Sequence, residues 1–299
     1  MKLESSPVTQ HHFRDLTFYL KRDDQLHQHF SGNKARKFMQ LLQEAQPGID
    51  TLICYGSVQA NSLYSLAALC RVKKWRLEFY VHRIPEWLKE NPSGNYRGAM
   101  ELGAEIIECR DMHPLDFIES VRKPEENCLV LPEGGRAQIS EYGIKGLAQE
   151  IVHWTRFRSD KQFVVALPSG TGTTALFLHK HLQRHNIPVI TCSCVGGKSY
   201  LKKQWQELGA TDTPTILQAD YKHHFGKLYE NEYRLWQELF DSTLVEFDLL
   251  YDPYMWECLL PWLENNSGKE LLYLHQGGIL GNETMLPRYQ RKFGQTQKA

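Results

Sequence analysis

The chain has 299 residues and a mass of 34.8 kDa, enough for about two domains of ordinary size or one large one. Its 35 Lys and Arg are balanced by 35 Asp and Glu, so it lacks the basic excess of a nucleic-acid-binding protein, and its 41% hydrophobic and 23% charged residues exclude a disordered chain. No apolar run approaches the roughly 18 residues that span a bilayer, Met1–Thr9 lacks the apolar core of a signal peptide, and seven cysteines are too few for a disulfide scaffold.

In chain order, short runs rich in β-branched, aromatic or leucine residues predict strands at Thr17–Lys21, Thr51–Tyr55, Leu77–Val81, Glu105–Cys109, Cys128–Leu131, Phe163–Leu167, Val189–Val195, Thr215–Leu217 and Leu271–Leu274. Between them, amphipathic stretches predict helices at Ser62–Val72, Tyr96–Leu102, Ser140–His153, Ala175–His185, Lys202–Leu208, Tyr233–Phe240 and Met255–Leu263. Strands that alternate with helices imply mainly parallel sheets flanked by helices, an α/β fold. Ligands in such folds gather at the carboxyl ends of strands. The polar segment Phe157–Gln162 could join two lobes.

Four of the loops stand out. In the first, Lys21-Arg22-Asp23-Asp24 is followed by Ser31–Lys37 (SGNKARK), and Lys34 falls at the start of an apolar-periodic stretch. A helix N-terminus disfavours an ammonium and favours the free amine that a Schiff base needs; KARK by itself also fits a solvated basic helix start. In the second, Gly56–Ser62 (GSVQANS) places small polar residues between a strand and a helix, either an N-cap or a cradle for a carboxylate. In the third, Pro168–Thr174 (PSGTGTT), glycines allow successive N–H groups to converge on one anion while threonine hydroxyls add donors. With no lysine in this loop, the pattern predicts a phosphate monoester held by neutral donors rather than a nucleoside triphosphate. In the fourth, His275-Gln276-Gly277-Gly278, paired glycines after a strand let backbone approach a flat ligand.

Other chemistry is weaker. Gly196-Gly197-Lys198-Ser199 imitates the end of a Walker A loop, but its first glycine would fall at Cys192 inside a strand. His181 and His185 share a helix face without the acid of an HExxH motif, and there is no CxxC, so no metal site is expected. Reduced, mostly buried thiols suit a cytoplasmic protein.

Taken in order, KRDD, SGNKARK, GSVQANS, LPEGG (Leu131–Gly135), SGTGTT, HFG (His224–Gly226), YDP (Tyr251–Pro253) and HQGG resemble the 1-aminocyclopropane-1-carboxylate deaminase / D-cysteine desulfhydrase family. These are pyridoxal-phosphate enzymes of the tryptophan-synthase-β type, fold type II. The resemblance implies a two-lobed molecule, with a smaller lobe at 36–150 and a larger cofactor-binding lobe formed by 1–35 and 151–299. It also implies pyridoxal 5'-phosphate as cofactor, a small amino-acid substrate, no nucleic-acid or membrane partner, and a homodimer. By position, Lys34 matches the lysine that binds the cofactor covalently. Gly170, Thr171, Gly172, Thr173 and Thr174 match its phosphate loop, and Asn61 matches the asparagine that bonds its phenolic oxygen. Ser57, Gln59 and Ser62 belong to the loop that receives the substrate carboxylate.

The chain departs from the family at three places. Ala60 stands where the family has a catalytic serine, and Gln276 where it has threonine or leucine. Around Asp252-Pro253, an ungapped match puts Met255 in the place of the catalytic tyrosine and Trp256 in that of the pyridine-nitrogen partner. A one-residue shift restores Tyr254, and Tyr229 is the candidate for a second family tyrosine. The implied activity is a lyase or deaminase, eliminating a β-substituent or opening a cyclopropane ring. The alternative is a catalytically weak relative that binds the cofactor or an amino acid.

Overall fold

Each apolar run singled out above becomes a strand in the computed structural model, which describes residues 3–294. The strands are β1 (Val8–Phe13), β2 (Leu16–Arg22), β3 (Thr51–Tyr55), β4 (Arg76–Val81), β5 (Glu105–Glu108), β6 (Cys128–Val130), β7 (Phe163–Ser169), β8 (Val189–Ser193), β9 (Thr215–Leu217) and β10 (Glu270–His275). They form a six-stranded sheet in the order β1-β2-β10-β7-β8-β9 and a four-stranded sheet in the order β5-β4-β3-β6. Every neighbouring pair is parallel except β1 and β2, an antiparallel hairpin in register from Val8 opposite Lys21 to Phe13 opposite Leu16. The expected α/β fold with mainly parallel, helix-flanked sheets is the one observed.

Besides short helices such as Met39–Gln43, Glu86–Glu90 and Pro114–Phe117, a strand and a longer helix escaped the sequence pattern. β1 is an edge strand whose residues Val8–His12 are all at least partly exposed, so polar Thr9, Gln10, His11 and His12 replace the apolar run that marks buried strands. The helix Asn282–Phe293 carries Pro287, which signals a helix break, yet Met285 and Tyr289 bury one face of it.

Buried strands alternate their side chains between two cores. Phe18, Leu20, Val164, Ala166, Leu271 and Tyr273 face the helices Glu230–Thr243 and Asp252–Glu264. Tyr19, Val165, Leu167, Leu272 and Leu274 face the helices Ser140–Arg156 and Thr173–Leu182. The smaller sheet divides in the same way, Leu52 and Cys54 packing on helix Asn61–Lys73 and Ile53 and Tyr55 on the opposite core. The segment Phe157–Gln162 runs from helix Ser140–Arg156 into β7. The two sheets are tied at Glu283, whose carboxylate accepts from Gly94 N–H at 2.8 Å and pairs with Arg97 at 2.6 Å. No helix among the described residues is long and apolar enough to cross a membrane.

A charged cluster inside the protein fixes the helix Gly32–Lys37. Arg36 gives two hydrogen bonds to Asp23, at 2.8 and 3.0 Å, and two to Glu150, at 2.6 and 2.9 Å. Both Arg36 and Asp23 are fully buried, and Lys21 completes the cluster against Glu150. Breaking a buried pair from one side leaves an uncompensated charge. Arg36→Met is therefore expected to cost about 3–5 kcal/mol of unfolding free energy. Chemical denaturation checks this; a loss below about 1 kcal/mol, the worth of a surface pair, would contradict it.

Candidate active site

The ends of β7 and β10, the loop after β3 and the turn that carries Lys34 enclose a cavity of about 360 Å³. Lys34 opens into it from the third residue of the short helix Gly32–Lys37. This turn is stitched to the end of β10: Asn33 N–H donates to the Gln276 carbonyl at 3.0 Å, and the Asn33 amide donates to Gln276 Oε1, also at 3.0 Å. The Gln276 amide in turn donates to the Pro168 carbonyl at 2.7 Å. Gly32 has φ +64°, and a Cβ there would fall 1.8 Å from the Gln276 carbonyl oxygen, so the turn needs glycine. Burial pulls the Lys34 amine down to about 8, although Cys54, Asp248 and Glu133 oppose the shift.

The Gly170–Thr174 loop forms the floor, leading from β7 into helix Thr173–Leu182. Gly172 has φ +71°, and its carbonyl accepts from the Trp205 indole at 2.9 Å. A Cβ at Gly172 would meet Leu201 at 2.3 Å and Trp205 at 2.4 Å. Thr171 and Thr173 hydroxyls lie 3.0 Å apart, while the Thr174 hydroxyl is buried with no partner. A buried hydroxyl without a partner is costly, and Thr174 is one of the residues that line the cavity. This is the observation that fits a bound phosphate ester.

Beside this loop, where the sequence predicts neutral donors alone, stands a lysine, Lys37. It lies one helical turn after Lys34, on the same face, and is fully buried. Its Nζ donates to the Gly134 carbonyl at 3.0 Å and lies 3.4 Å from Thr171 Oγ1. Burial, helped by Lys34, pulls it well below the usual lysine range, so an anion would be its natural third partner. Lys198, the Walker-like lysine, is not among the cavity residues.

Ser57, Gln59, Ala60, Asn61 and Ser62 line the opposite side, at the start of helix Asn61–Lys73. Across from them stand Tyr251, Asp248 and Asp252, with Glu133, Tyr200 and Phe225 nearer the mouth. Asp248 Oδ1 accepts from Leu250 N–H at 2.7 Å and Tyr251 N–H at 3.0 Å. Asp252 takes the Tyr273 hydroxyl at 2.6 Å and the Asp248 N–H at 2.9 Å. Burial, with Asp252 alongside, raises Asp248 to about 7. Burial also pushes the Tyr251 phenol well up, so it stays protonated.

The structure thus brings together Lys34, Asn61, Gly170–Thr174, Ser57, Gln59 and Ser62. It does not bring Tyr254 or Tyr229 to the cavity. Tyr254 points into the core beneath helix Asp252–Glu264, stacked on His223 at 4.0 Å between ring centroids. Tyr229 lies on the 222–229 loop, accepting from His224 N–H at 3.0 Å and donating to the Lys222 carbonyl at 3.1 Å. Met255 and Trp256 are also core residues, Trp256 packed on Phe18 and Tyr273 at 5.0 and 5.1 Å. Two other tyrosines line the cavity, Tyr200 and Tyr251; Tyr251 stands just before Asp252-Pro253, where neither alignment placed the catalytic phenol. Its signal was its place at the head of the YDP segment, before a helix start, but no catalytic role was matched to it. A second cleft of about 580 Å³ opens on the far side of the Lys34 turn, but the threonine loop is not part of it.

Hydrogen bonds to a charged group contribute about 1.5–3 kcal/mol. Lys37→Met and Thr174→Ala are each expected to weaken inorganic phosphate binding by about that much, read by titration calorimetry, and Lys198→Met to leave it unchanged. Loss of binding in Lys198→Met alone would move the anion site to the wrong loop.

Comparison with known proteins gives the same picture. A putative 1-aminocyclopropane-1-carboxylate deaminase of Thermotoga maritima is 25% identical over 282 residues, 88% of this chain and 89% of the relative. The bifunctional D-cysteine desulfhydrase/1-aminocyclopropane-1-carboxylate deaminase of Arabidopsis thaliana is 24% identical over 88% of this chain and 72% of its own length. Among solved structures, a homologue of 1-aminocyclopropane-1-carboxylate deaminase superposes with a TM-score of 0.78 at 19% identity, covering 96% of this chain and 94% of that one. A hydrogen sulfide-producing enzyme from Fusobacterium nucleatum gives 0.68 at 15% identity, with 92% and 95% covered. The lysine turn and the threonine loop both lie within residues 3–241, which carry the sequence pattern of the pyridoxal-phosphate dependent enzymes, and the chain belongs to that family.

Proposed function

We propose that this pyridoxal-phosphate-dependent enzyme is a lyase or deaminase of a small amino acid, of the D-cysteine desulfhydrase or 1-aminocyclopropane-1-carboxylate deaminase kind. One observation carries the proposal: Lys34, its amine pulled down to about 8, shares a cavity with both the threonine loop and the Ser57–Ser62 loop. The activities in the names of the Thermotoga and Arabidopsis relatives support the same reaction class. The proposal includes a cytoplasmic homodimer, with a smaller lobe lying within residues 36–150 and a larger one drawn from 1–35 and 151–299.

Lys37, the hydroxyls of Thr171, Thr173 and Thr174 and the N–H groups of Gly170–Thr174 would hold the phosphate. Asn61 would donate to the phenolic oxygen, and Lys34 would anchor the cofactor covalently. When bound, pyridoxal phosphate supplies an electron sink for charge left on a substrate carbon. Ser57, Gln59 and Ser62 receive the substrate carboxylate at the N-terminus of helix Asn61–Lys73. The Lys34 amine takes the α-proton. The Tyr251 phenol, still protonated, gives a proton to the departing group, a role that methionine at 255 cannot fill. Phe225 packs beside the Tyr251 ring, 5.2 Å away between ring centroids. With D-cysteine and one water, the products are hydrogen sulfide, ammonia and a 2-oxo acid. Ala60 lacks a hydroxyl, but Ser57 and Ser62 line the same loop, so we favour an active enzyme over a weak relative.

The test is an assay of D-cysteine, β-chloroalanine and 1-aminocyclopropane-1-carboxylate for sulfide, ammonia and 2-oxo acid. Lys34→Ala is expected to abolish turnover. Tyr251→Phe is expected to lower kcat on D-cysteine about a hundredfold or more, and far less on β-chloroalanine, because chloride leaves without a proton. Equal losses on both would remove Tyr251 as the acid, and no product from any of the three compounds would overturn the function.

The lowered amine makes a separate prediction about pH. With a pKa of about 8, about half of Lys34 is neutral at pH 8, against well under 1% for an ordinary lysine. Covalent capture of pyridoxal phosphate by cofactor-free protein should therefore accelerate as pH rises through about 8 and level off above it. Stopped-flow absorbance measures this, and a midpoint near 10 would contradict the lowered amine.

A further inference from the structure

Asn61 lines the cavity between the two sheets, and an asparagine can present either a donor or an acceptor to a ligand. Here a chain of contacts settles which. The Gln59 backbone carbonyl can only accept, and it takes a hydrogen bond from Asn95 Nδ2 at 2.9 Å. That same Nδ2 donates to Asn61 Oδ1 at 2.7 Å. The oxygen of Asn61 is thus committed to Asn95, and its nitrogen is turned the other way. It faces the Asp248 carboxylate, whose charged form the Asn61 amide favours. Asn61 Nδ2 and Asp248 Oδ2 lie together over Gly278, 2.4 and 2.9 Å from where a Cβ would stand. Gly278 has φ +86°, so both the conformation and the space call for glycine there.

We propose that Asn95 and Asp248 are positioning residues that lock the Asn61 amide with its N–H toward the cavity, so that this wall offers the cofactor's phenolic oxygen a fixed donor and never an acceptor. This rests on the role given to Asn61 above. The lock also spans the two sheets. Asn95 and Asn61 belong to helices beside the four-stranded sheet, while Asp248 belongs to the turn before helix Asp252–Glu264. The donor is therefore set only when both sides are in place. Asp248 Oδ1 is occupied by the N–H groups of Leu250 and Tyr251, so the same carboxylate places the Tyr251 backbone. One buried carboxyl orients the groups on two walls.

Asp248→Asn preserves size but reverses one end. Its oxygen must still meet the Leu250 and Tyr251 N–H groups, so its nitrogen falls against Asn61 Nδ2, donor against donor. If Asn61 stays in place it meets that donor with its own, and if it turns it sets its nitrogen against Asn95 Nδ2; either way its N–H is no longer held toward the cavity. Asn95→Leu removes the other side of the lock without touching Asp248. The experiment loads wild type, Asp248→Asn, Asn95→Leu, Asn61→Ala and the two double variants with pyridoxal phosphate. It records the visible absorbance maximum of the bound cofactor and its equilibrium affinity, with circular dichroism as the check on folding. We expect Asp248→Asn and Asn95→Leu each to displace the absorbance maximum and to weaken affinity about tenfold, the worth of one hydrogen bond to a charged oxygen. In the Asn61→Ala background neither should add a further change. A wild-type spectrum and affinity in both single variants overturns the lock, as does full additivity with Asn61→Ala. If Asp248→Asn does not fold, Asn95→Leu decides alone. Wild type that takes up no pyridoxal phosphate defeats both this inference and the function, whereas unchanged variants of a loaded enzyme defeat the inference only.

Discussion

Arg36 is the residue on which the site depends most. A guanidinium inside a protein costs several kcal/mol to desolvate and is tolerable only if its hydrogen bonds are met. Asp23 and Glu150 meet four of them, and the Asp23 and Glu150 charges keep the group ionised. The helix that Arg36 anchors is six residues long, too short to hold its own shape in water. Its geometry is borrowed from these ion pairs on one side and from the Asn33–Gln276 stitch on the other. Lys34 and Lys37 project from this small element toward the cavity while Arg36 points away. Three cations within four residues are thus separated, one neutralised in the interior and two left for chemistry.

The electrostatics of the cavity follow from that separation. Burial lowers both lysines, and the charge of Lys34 lowers Lys37 further. Carboxyls in the same region are raised for the mirror reason, as at Asp248. A site with amines pulled down and a carboxyl and a phenol held up can pass protons near neutral pH without large driving forces. An anion beside Lys37 would relieve that lysine, leaving Lys34 as the more easily neutralised amine.

Much of the fold was legible because parallel strands buried on both faces leave unbroken apolar runs, as in TLICY and FVVAL. β1 was not, since an edge strand can be built from Thr, Gln and His. In the site, Lys34 and the threonine loop announced themselves through glycines whose conformations the backbone requires. Lys37 was hidden in plain view: KARK has the composition of a solvated surface, and only the tertiary pairing of Arg36 shows that the surface is inside. Tyr251 was missed for a different reason. Matching by motif assumed that a phenol must follow Asp252-Pro253, whereas the cavity accepts one from the residue before it. Asp248 belongs to no motif, because its role lies in what it does to Asn61 and Tyr251 rather than in a contact that a spacing could encode.

The clash at position 32 has a consequence for how this protein can change over time. It is backbone against backbone: no rotamer or neighbouring side chain can give way, because the obstructing atom is the Gln276 carbonyl oxygen, 1.8 Å from where a methyl would stand. The lysine turn and the end of β10 are 243 residues apart in sequence by the Asn33–Gln276 contact, yet they behave as one part. Most of the site can drift by single substitutions that neighbours absorb. This junction cannot; its glycine has no synonym, and a lineage that loses it must rebuild two distant segments at once or abandon the site.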